Sequence, residues 1–402
     1  MKKLLILLLL VPLSAYGQDA DISRQLADNG LAATEDALST IAEPSASDRF
    51  ALGGVRFLRA IEQSLQTRWH HGLDTATLPI PVLRLPLPPN PDAVAAPADI
   101  IETLFADLAA GMDSARTALA PISDGDDVAL RIDLNALWFD INANGTRDPG
   151  EDLAQAFFAS MGAPTGAVGR MTLPTVRFDT ADTAWLAAYT HLLSGVANLV
   201  QAFDTADAIS RVRDGAATLA TLRDETGQPH MDIGSIMIGA PEGTLDLVLT
   251  VYLALRTDPD PAHTRAARTH LLAMVAENRR FWARVATETD NDAEWIPNAA
   301  QTAALGFDLP PETSERWQAV LSDAEGLLTG RLLIPHWRFG PGIGVNLRRL
   351  LNDPIPVHLV EWIHGLDLLP YTETGEPVSD TNWRAFAAMA SGNAGLYVLI
   401  LN

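Results

Sequence analysis

The sequence contains no cysteine among its 402 residues. This absence excludes disulfide bonds, thiolate metal sites, a catalytic thiol and the lipid-modified cysteine of bacterial lipoproteins. A chain exported without disulfides has to be stabilised by its hydrophobic core, and this chain is long enough to bury a large one.

The hydrophobic run near the N-terminus is too short to span a membrane. Lys2 and Lys3 precede the apolar run 4–13, and Ala15 and Gly17 are small residues at the spacing of a cleavage site. A spanning helix needs roughly 20 apolar residues, so this pattern is typical of a secretory signal peptide over residues 1–17. We expect cleavage after Gly17 and a periplasmic or secreted protein with no membrane span after cleavage.

Basic residues are few relative to acidic ones. The chain has 28 Lys and Arg against 50 Asp and Glu, which gives a formal net charge of −22. Such a charge repels phosphate backbones and anionic lipid headgroups, and therefore argues against a nucleic-acid partner and favours cations. The excess acid also serves simply to keep an exported protein soluble.

Strand signals are sparse, whereas apolar residues at helical spacing are frequent. The alternation of Val128, Leu130, Ile132 and Leu134 indicates one strand; the segment 236–238 is short, and the apolar segment 396–401 fits a strand or a terminal helix. The helical stripes are Phe57 to Leu65, Ile101 to Met112, Trp185 to Phe203, Leu271 to Trp282 and Trp317 to Leu328. The sequence therefore predicts a mainly α, multi-helix body with little β structure.

Two further segments lack regular periodicity. Residues 79–97 contain seven prolines in nineteen positions, so they predict a long extended connector between helices. Residues 162–180 are rich in Gly and Pro and predict a second loop. We expect one domain over residues 18–402, with a subdivision near 162–180 as the alternative.

The chain contains neither the His-Glu-x-x-His pattern of zinc hydrolases nor the Gly-x-Ser-x-Gly pattern of serine hydrolases. Paired catalytic carboxylates have no sequence signature, because they meet only in space. The sequence consequently leaves the catalytic residues unassigned and the question of enzymatic activity open.

Oxygen-bearing residues alternate in the segment 140–151. Calcium takes six to eight oxygens at about 2.3–2.6 Å, and a short loop surrounds it when alternate side chains point inward around a central turn. Gly145 stands at the sixth position, where such a turn is needed. The expected ligands of one Ca²⁺ are Asp140, Asn142, Asn144, the carbonyl of Thr146, Asp148 and Glu151.

In these twelve residues the loop resembles the EF-hand-type calcium-binding loop, more closely its bacterial extracellular forms than the paired sensor hands. Position eight is Arg147 instead of an aliphatic residue, and no second loop of this pattern occurs in the chain. The resemblance therefore implies a solitary site of weak affinity, on the order of 10⁻⁴ to 10⁻³ M. The competing interpretation is an ordinary polar turn built from Asp, Asn and Gly.

A second group of polar residues lies in the C-terminal half. His358, Glu361 and His364 are spaced by three and would share a helix face, as in half of a carboxylate-bridged metal site. The favoured interpretation is that these polar residues of an apolar segment are hydrogen-bonded structural groups or line a cleft. We also consider a polar pocket in which the acids of 288–294 meet His336 and Arg338.

Three functions follow from these observations. The first is an exported cell-envelope calcium-binding protein with structural calcium, whose helical body binds an unknown ligand or protein partner. The second is a calcium-braced envelope enzyme, hydrolase-like, with its acids and histidines near His336, Glu361 and His364. The third is a transition-metal protein built on the segment 358–364.

Overall fold

The computed structural model describes residues 15–73, 80, 82–160, 172–226, 242–306, 309–390, 397–398 and 401. Helices dominate these residues, which confirms the predicted mainly α body with little β structure. In chain order the helices are α1 Ala15–Ser39, α2 Ala46–His70, α3 Ile100–Leu119, α4 Leu153–Ser160, α5 Thr180–Gln201, α6 Thr205–Thr226, α7 Glu242–Leu255, α8 Pro261–Val285, α9 Thr313–Thr329, α10 Leu347–Asn352, α11 Leu359–His364 and α12 Thr381–Met389.

The start of α2 is set by a capping box. The Ser45 hydroxyl accepts the N–H of Asp48 at 3.1 Å, and the Asp48 carboxylate accepts the N–H of Ser45 at 2.8 Å. Because both bonds satisfy N–H groups that lack helical partners, they stop the helix from extending further back. Asp179 and Asp182 form the same arrangement at the start of α5.

The central helices pack face to face in the order α2, α3, α5 and α8. Apolar positions predicted from the stripes lie in these contacts; Phe105, Leu108 and Met112 of α3 are buried. The contacts between these helices form the hydrophobic core. The apolar faces of α2 and α5 point toward the same part of this core.

The predicted proline-rich connector joins α2 to α3. Its described residues, 80 and 82–97, contain neither helix nor strand, while Pro79 and Pro81 lie outside the described ranges. Arg68, buried in α2, donates to the carbonyls of Val82 and Leu85, each at 3.0 Å. These bonds hold the start of the connector against α2.

Where the structure describes the chain, six short strands accompany the helices: β1 Ala129–Asp133, β2 Thr175–Asp179, β3 Leu332–Pro335, β4 Ile343–Val345, β5 Thr372–Thr374 and β6 Glu376–Pro377. The strand expected near 128–134 is confirmed as β1, which pairs antiparallel with β2 from Ala129↔Asp179 to Asp133↔Thr175. The other four form a small sheet in the order β5-β4-β3-β6. These four strands are too short for alternation to reveal them in the sequence.

The loop-rich zone predicted over 162–180 ends in a strand that the sequence did not predict. Residues 161–171 lie outside the described ranges, but Thr175–Asp179 is strand β2. The Gly and Pro residues before this strand led to the prediction of a loop. The strand is stabilised by pairing with β1, which lies far away in the sequence.

Two other expectations fall mainly outside the described residues, namely the apolar segments 236–238 and 396–401. The same holds for most of the expected signal peptide, since the description begins at residue 15. Among the helices of the described ranges, none has the length and apolar character that crossing a membrane requires.

Candidate functional site

The predicted calcium loop lies between β1 and α4, and its two ends run side by side. The N–H of Phe139 donates to the carbonyl of Glu151 at 2.8 Å, and the N–H of Leu153 donates to the carbonyl of Leu137 at 3.0 Å. Trp138 and Asp152 form an antiparallel bridge between these bonds. The twelve residues therefore close into a loop with a fixed base.

Four of the predicted ligand side chains converge inside this loop. The Asp140 carboxylate accepts the N–H groups of Asn144 at 3.0 Å and Gly145 at 2.9 Å. The side-chain amides of Asn142 and Asn144 both donate to one oxygen of Asp148, at 2.8 and 2.7 Å. The side chains at positions one, three, five and nine of the loop therefore lie together inside it.

The chain reverses direction in the middle of the loop through two residues with left-handed backbone. Gly145 has φ +74°, a value that glycine adopts without strain, and Ala143 has φ +57°. The N–H and hydroxyl of Thr146 donate to Asn144 Oδ1 at 2.7 and 2.6 Å. This tight turn keeps the polar side chains on its inner side.

Glu151, the predicted closing ligand, lies at the base of the loop and is only 2 % exposed. Its carboxylate accepts the N–H of Ile141 at 2.8 Å and that of Asp148 at 2.7 Å. Burial raises the pKa of Glu151, against the opposing effect of these bonds. A buried carboxylate whose ionised form is disfavoured would gain from a cation beside it.

Arg147, which departs from the EF-hand pattern, points away from the loop interior. Its Nε donates to Asp152 at 2.7 Å and its Nη2 donates to the carbonyl of Asn135 at 2.9 Å. The arginine charge is therefore paired outside the loop. The side chains inside the loop are carboxylates and amides, and the oxygens of both groups are ligands that fit a hard cation such as calcium.

The loop is joined to α2 by two side chains. The buried Glu62 carboxylate accepts the N–H of Asp140 at 2.9 Å, and the Gln66 amide donates to the carbonyl of Asp140 at 2.7 Å. Burial raises the pKa of Glu62, while Arg59, its ion-pair partner, acts in the opposite direction. The first residue of the loop is consequently fixed to a long helix of the core.

A separate carboxylate cluster was not anticipated from the sequence. One ligand oxygen from each of Asp179, Glu288 and Glu294 lies within 4.8 Å of the others, and in the described part of the chain no other three His, Asp or Glu residues are so arranged. Burial, reinforced by Asp179, raises the pKa of Glu288 to about 7. Burial also raises the pKa of Asp179 and of Glu294.

The cluster forms because two distant segments pair. Asp179 ends β2 and begins α5, and the β2 backbone N–H of Arg177 donates to the carbonyl of Ala293 at 2.9 Å. This bond brings the 288–294 loop against β2. The acids Asp290 and Asp292 of that loop pair with Arg177 and Arg131, respectively.

The expected meeting of the acids 288–294 with His336 and Arg338 is wrong. His336 Nε2 lies 3.3 Å from the carbonyl of Trp362, and Arg338 stacks on the ring of Trp337. The acids instead face β2, because the loop after α8 returns to the two-stranded sheet.

Residues Leu359–His364 form α11 and His358 precedes it, but within the described residues this segment does not assemble a metal site. His358 Nδ1 pairs with Asp367 at 2.9 Å, and Glu361 and His364 are exposed. Among the described residues, the ligand atoms of His336, Glu361 and His364 do not meet. A six-residue helix on the surface turns these side chains toward solvent or toward separate partners.

An apolar cavity of about 570 Å³ lies between α2, α5 and β1, next to the loop. Phe139 and Leu153, at the two ends of the loop, both line it, as do Phe178 and Trp295, the neighbours of Asp179 and Glu294. A concave, largely apolar space of this size has the character of a small-molecule binding site.

Comparison with known proteins identified no matching protein family, no similar characterised protein and no similar solved structure. Function is therefore inferred from the chemistry of the loop, the carboxylate cluster and the cavity.

Proposed function

We propose that this chain is an exported calcium-binding protein of the cell envelope, in which one calcium ion has a structural role and the helical body binds a ligand or partner. The observation that carries the proposal is the convergence of Asp140, Asn142, Asn144 and Asp148 inside one closed loop. Buried Glu151 at its base supplies the carboxylate that would complete the site.

A structural role follows from where the loop is attached. Its first residue is bonded to Glu62 of α2, and its flanking residues Phe139 and Leu153 line the apolar cavity. An ion bound in the loop would hold these walls in place. At a hundredfold excess over its dissociation constant, calcium would stabilise the fold by about 2.7 kcal/mol.

The export component of the proposal rests on the sequence. Two lysines, a short apolar run and small residues before Gln18 are typical of a signal peptide, and the absence of cysteine is compatible with an oxidising compartment. Millimolar calcium outside the cytoplasm would fill such a site to roughly one half at a dissociation constant of about 10⁻³ M and to about nine-tenths at about 10⁻⁴ M.

The test is calorimetric titration of the mature protein with calcium, combined with thermal melts. Glu151→Gln removes the closing charge and nearly preserves the shape of the side chain, so binding and the calcium-dependent rise in Tm should both be lost. Asp152→Asn is the matched control, because Asp152 pairs with Arg147 outside the loop interior and its variant should still bind. Absence of saturable binding in the wild type up to several millimolar calcium would reduce the loop to a polar turn.

The second candidate function is a calcium-braced hydrolase. The observation that favours it is the raised pKa of Glu288, about 7, in a cluster that adjoins two residues of the cavity wall. A carboxylic acid titrating near neutral pH is suited to general acid–base catalysis. Hydrolysis of a panel of nitrophenyl esters and glycosides, abolished in Glu288→Gln, would support this candidate, and inactivity of the wild type on the panel would count against it.

A further inference from the structure

The wall of the cavity is almost wholly apolar. Phe57 and Leu58 of α2, Leu186 of α5, and Leu130 and Ile132 of β1 contribute to it. Its volume of about 570 Å³ lies within the roughly 300–1,000 Å³ that is typical of small-molecule sites. Such a wall selects a ligand with a large apolar portion.

One cationic side chain interrupts this wall. Arg84, on the connector between α2 and α3, lines the cavity and is only partly exposed. Throughout the described part of the chain, no carboxylate forms an ion pair with it, whereas Arg56 and Arg59 on the adjacent helix pair with Glu35. An arginine that faces an apolar cavity without a counter-charge is suited to binding an anionic group of a ligand.

A hydroxyl group accompanies the arginine. Tyr189 of α5 also lines the cavity, and within the described ranges its hydroxyl has no hydrogen-bond partner. Burial raises the pKa of Tyr189 to about 12, an effect that the nearby positive charge of Arg84 opposes. The phenol therefore keeps its proton and is available as a donor close to the guanidinium group.

We infer that the cavity binds an amphiphile with a long apolar chain and a single carboxylate, and that Arg84 and Tyr189 bind the carboxylate. The inference deepens the ligand-binding part of the proposed function and is independent of calcium. A guanidinium group binds a carboxylate through two parallel N–H donors, and the tyrosine hydroxyl supplies a third. The net charge of −22 disfavours headgroups that carry more negative charge.

The experiment measures binding of dodecanoate, dodecanol and dodecylamine below their micelle concentrations, by calorimetry and by tryptophan fluorescence. Trp185 and Trp295 line the cavity, so their emission should change when a chain enters. Dodecanoate should bind at least about tenfold more tightly than dodecanol, as expected for charge-assisted hydrogen bonds. Non-specific adsorption on an acidic protein would instead favour dodecylamine.

Three variants assign the headgroup site. Arg84→Met should weaken dodecanoate binding by about tenfold or more and leave dodecanol binding unchanged. Tyr189→Phe should weaken dodecanoate binding by roughly threefold to tenfold. Arg338→Met is the matched control, because it removes the same charge from an exposed arginine that stacks on Trp337.

Occupation of the cavity is tested by filling it. Gly54 lines the cavity, and an added Cβ there meets no atom within 4 Å, so Gly54→Leu and Gly54→Phe direct a side chain into the space. Both variants should fold, as judged by circular dichroism, and both should reduce binding of dodecanoate and dodecanol alike.

Equal binding of dodecanoate and dodecanol, tighter binding of dodecylamine, or equal effects of Arg84→Met and Arg338→Met would overturn the headgroup assignment. If no amphiphile binds while calcium still does, the ligand inference fails and the calcium proposal survives. If dodecanoate binds as described while calcium does not, the ligand inference stands and the calcium proposal fails.

Discussion

The carboxylate of Glu62, buried within α2, accepts the backbone N–H of Asp140 at 2.9 Å. The two residues are far apart in the sequence, yet this bond fixes the point at which the candidate calcium loop begins. Arg59 balances the charge of Glu62 one turn earlier on the same helix. The helix that lines the cavity and the loop that would bind calcium are therefore mechanically connected.

Removing this carboxylate should affect both stability and the loop. Glu62→Ala leaves the N–H of Asp140 unpaired and deprives Arg59 of a partner, so we expect the free energy of unfolding to fall by about 2–4 kcal/mol. Urea denaturation measures the loss, and calcium titration should show weaker binding. The exposed Glu43 provides the control, since Glu43→Ala should change stability by less than about 0.5 kcal/mol.

Two adjacent glycines of α2 should respond to alanine in opposite directions. A Cβ on Gly53 would lie 2.5 Å from Cδ2 of Leu119, whereas a Cβ on Gly54 meets nothing within 4 Å. Gly53→Ala should therefore destabilise the protein by about 1–3 kcal/mol through overpacking against α3. Gly54→Ala should stabilise it by about 0.5–1 kcal/mol, because alanine loses less backbone entropy in a helix.

Chemical denaturation of the two glycine variants side by side makes this comparison. Equal effects of the two substitutions would contradict the close packing of α2 on α3 at Gly53. They would also contradict the open space next to Gly54.

The carboxylate cluster should make stability depend on pH. Burial and Asp179 raise the pKa of Glu288 from its ordinary value of 4.5 to about 7, so the native state favours the protonated acid. The resulting stabilisation is complete below about pH 4.5 and is lost as the pH rises through about 7. Glu288→Gln, which keeps an uncharged group there, should raise stability at pH 8 by on the order of 1–2 kcal/mol after allowance for solvent screening.

Thermal melts between pH 4.5 and 8 in the presence of a chelator test this prediction. The Tm of wild type should fall relative to that of Glu288→Gln as the pH increases. Parallel curves for the two proteins would show that the pKa of Glu288 is the same in the folded and unfolded states, against this prediction. Glu43→Gln, a change at an exposed acid, should follow the wild-type curve.

Loss of the cap at the start of α2 should cost about 1 kcal/mol. Ser45→Ala removes the acceptor for the N–H of Asp48 in the first turn of the helix. Glu312→Ala serves for comparison, because Glu312 precedes α9 without a side-chain capping bond. Denaturation midpoints that shift equally in both variants would argue against the capping role of Ser45.

The capping box illustrates what is predictable from the sequence. Ser45 and Asp48 are three residues apart, so their mutual hydrogen bonds depend only on local geometry, and the Ser-x-x-Asp pattern marks the start of α2. The stripe of α3 is confirmed for the same reason, because residues at steps of three and four share a face. Strand β2 was missed, because its alternation is short and its partner β1 lies far away along the chain.

The helices, the connector and the order of oxygen-bearing residues in the loop 140–151 are determined by the sequence itself, because each depends on neighbours within one or two turns. Tertiary structure alone decided that Asp179 meets Glu288 and Glu294, and that Arg84 and Tyr189 face one cavity. These groups come from segments that are distant in sequence and are brought together by the packing of α2, α5 and the two-stranded sheet. The spacing of apolar residues along the chain does not predict such contacts, because they depend on how whole helices and strands pack against one another.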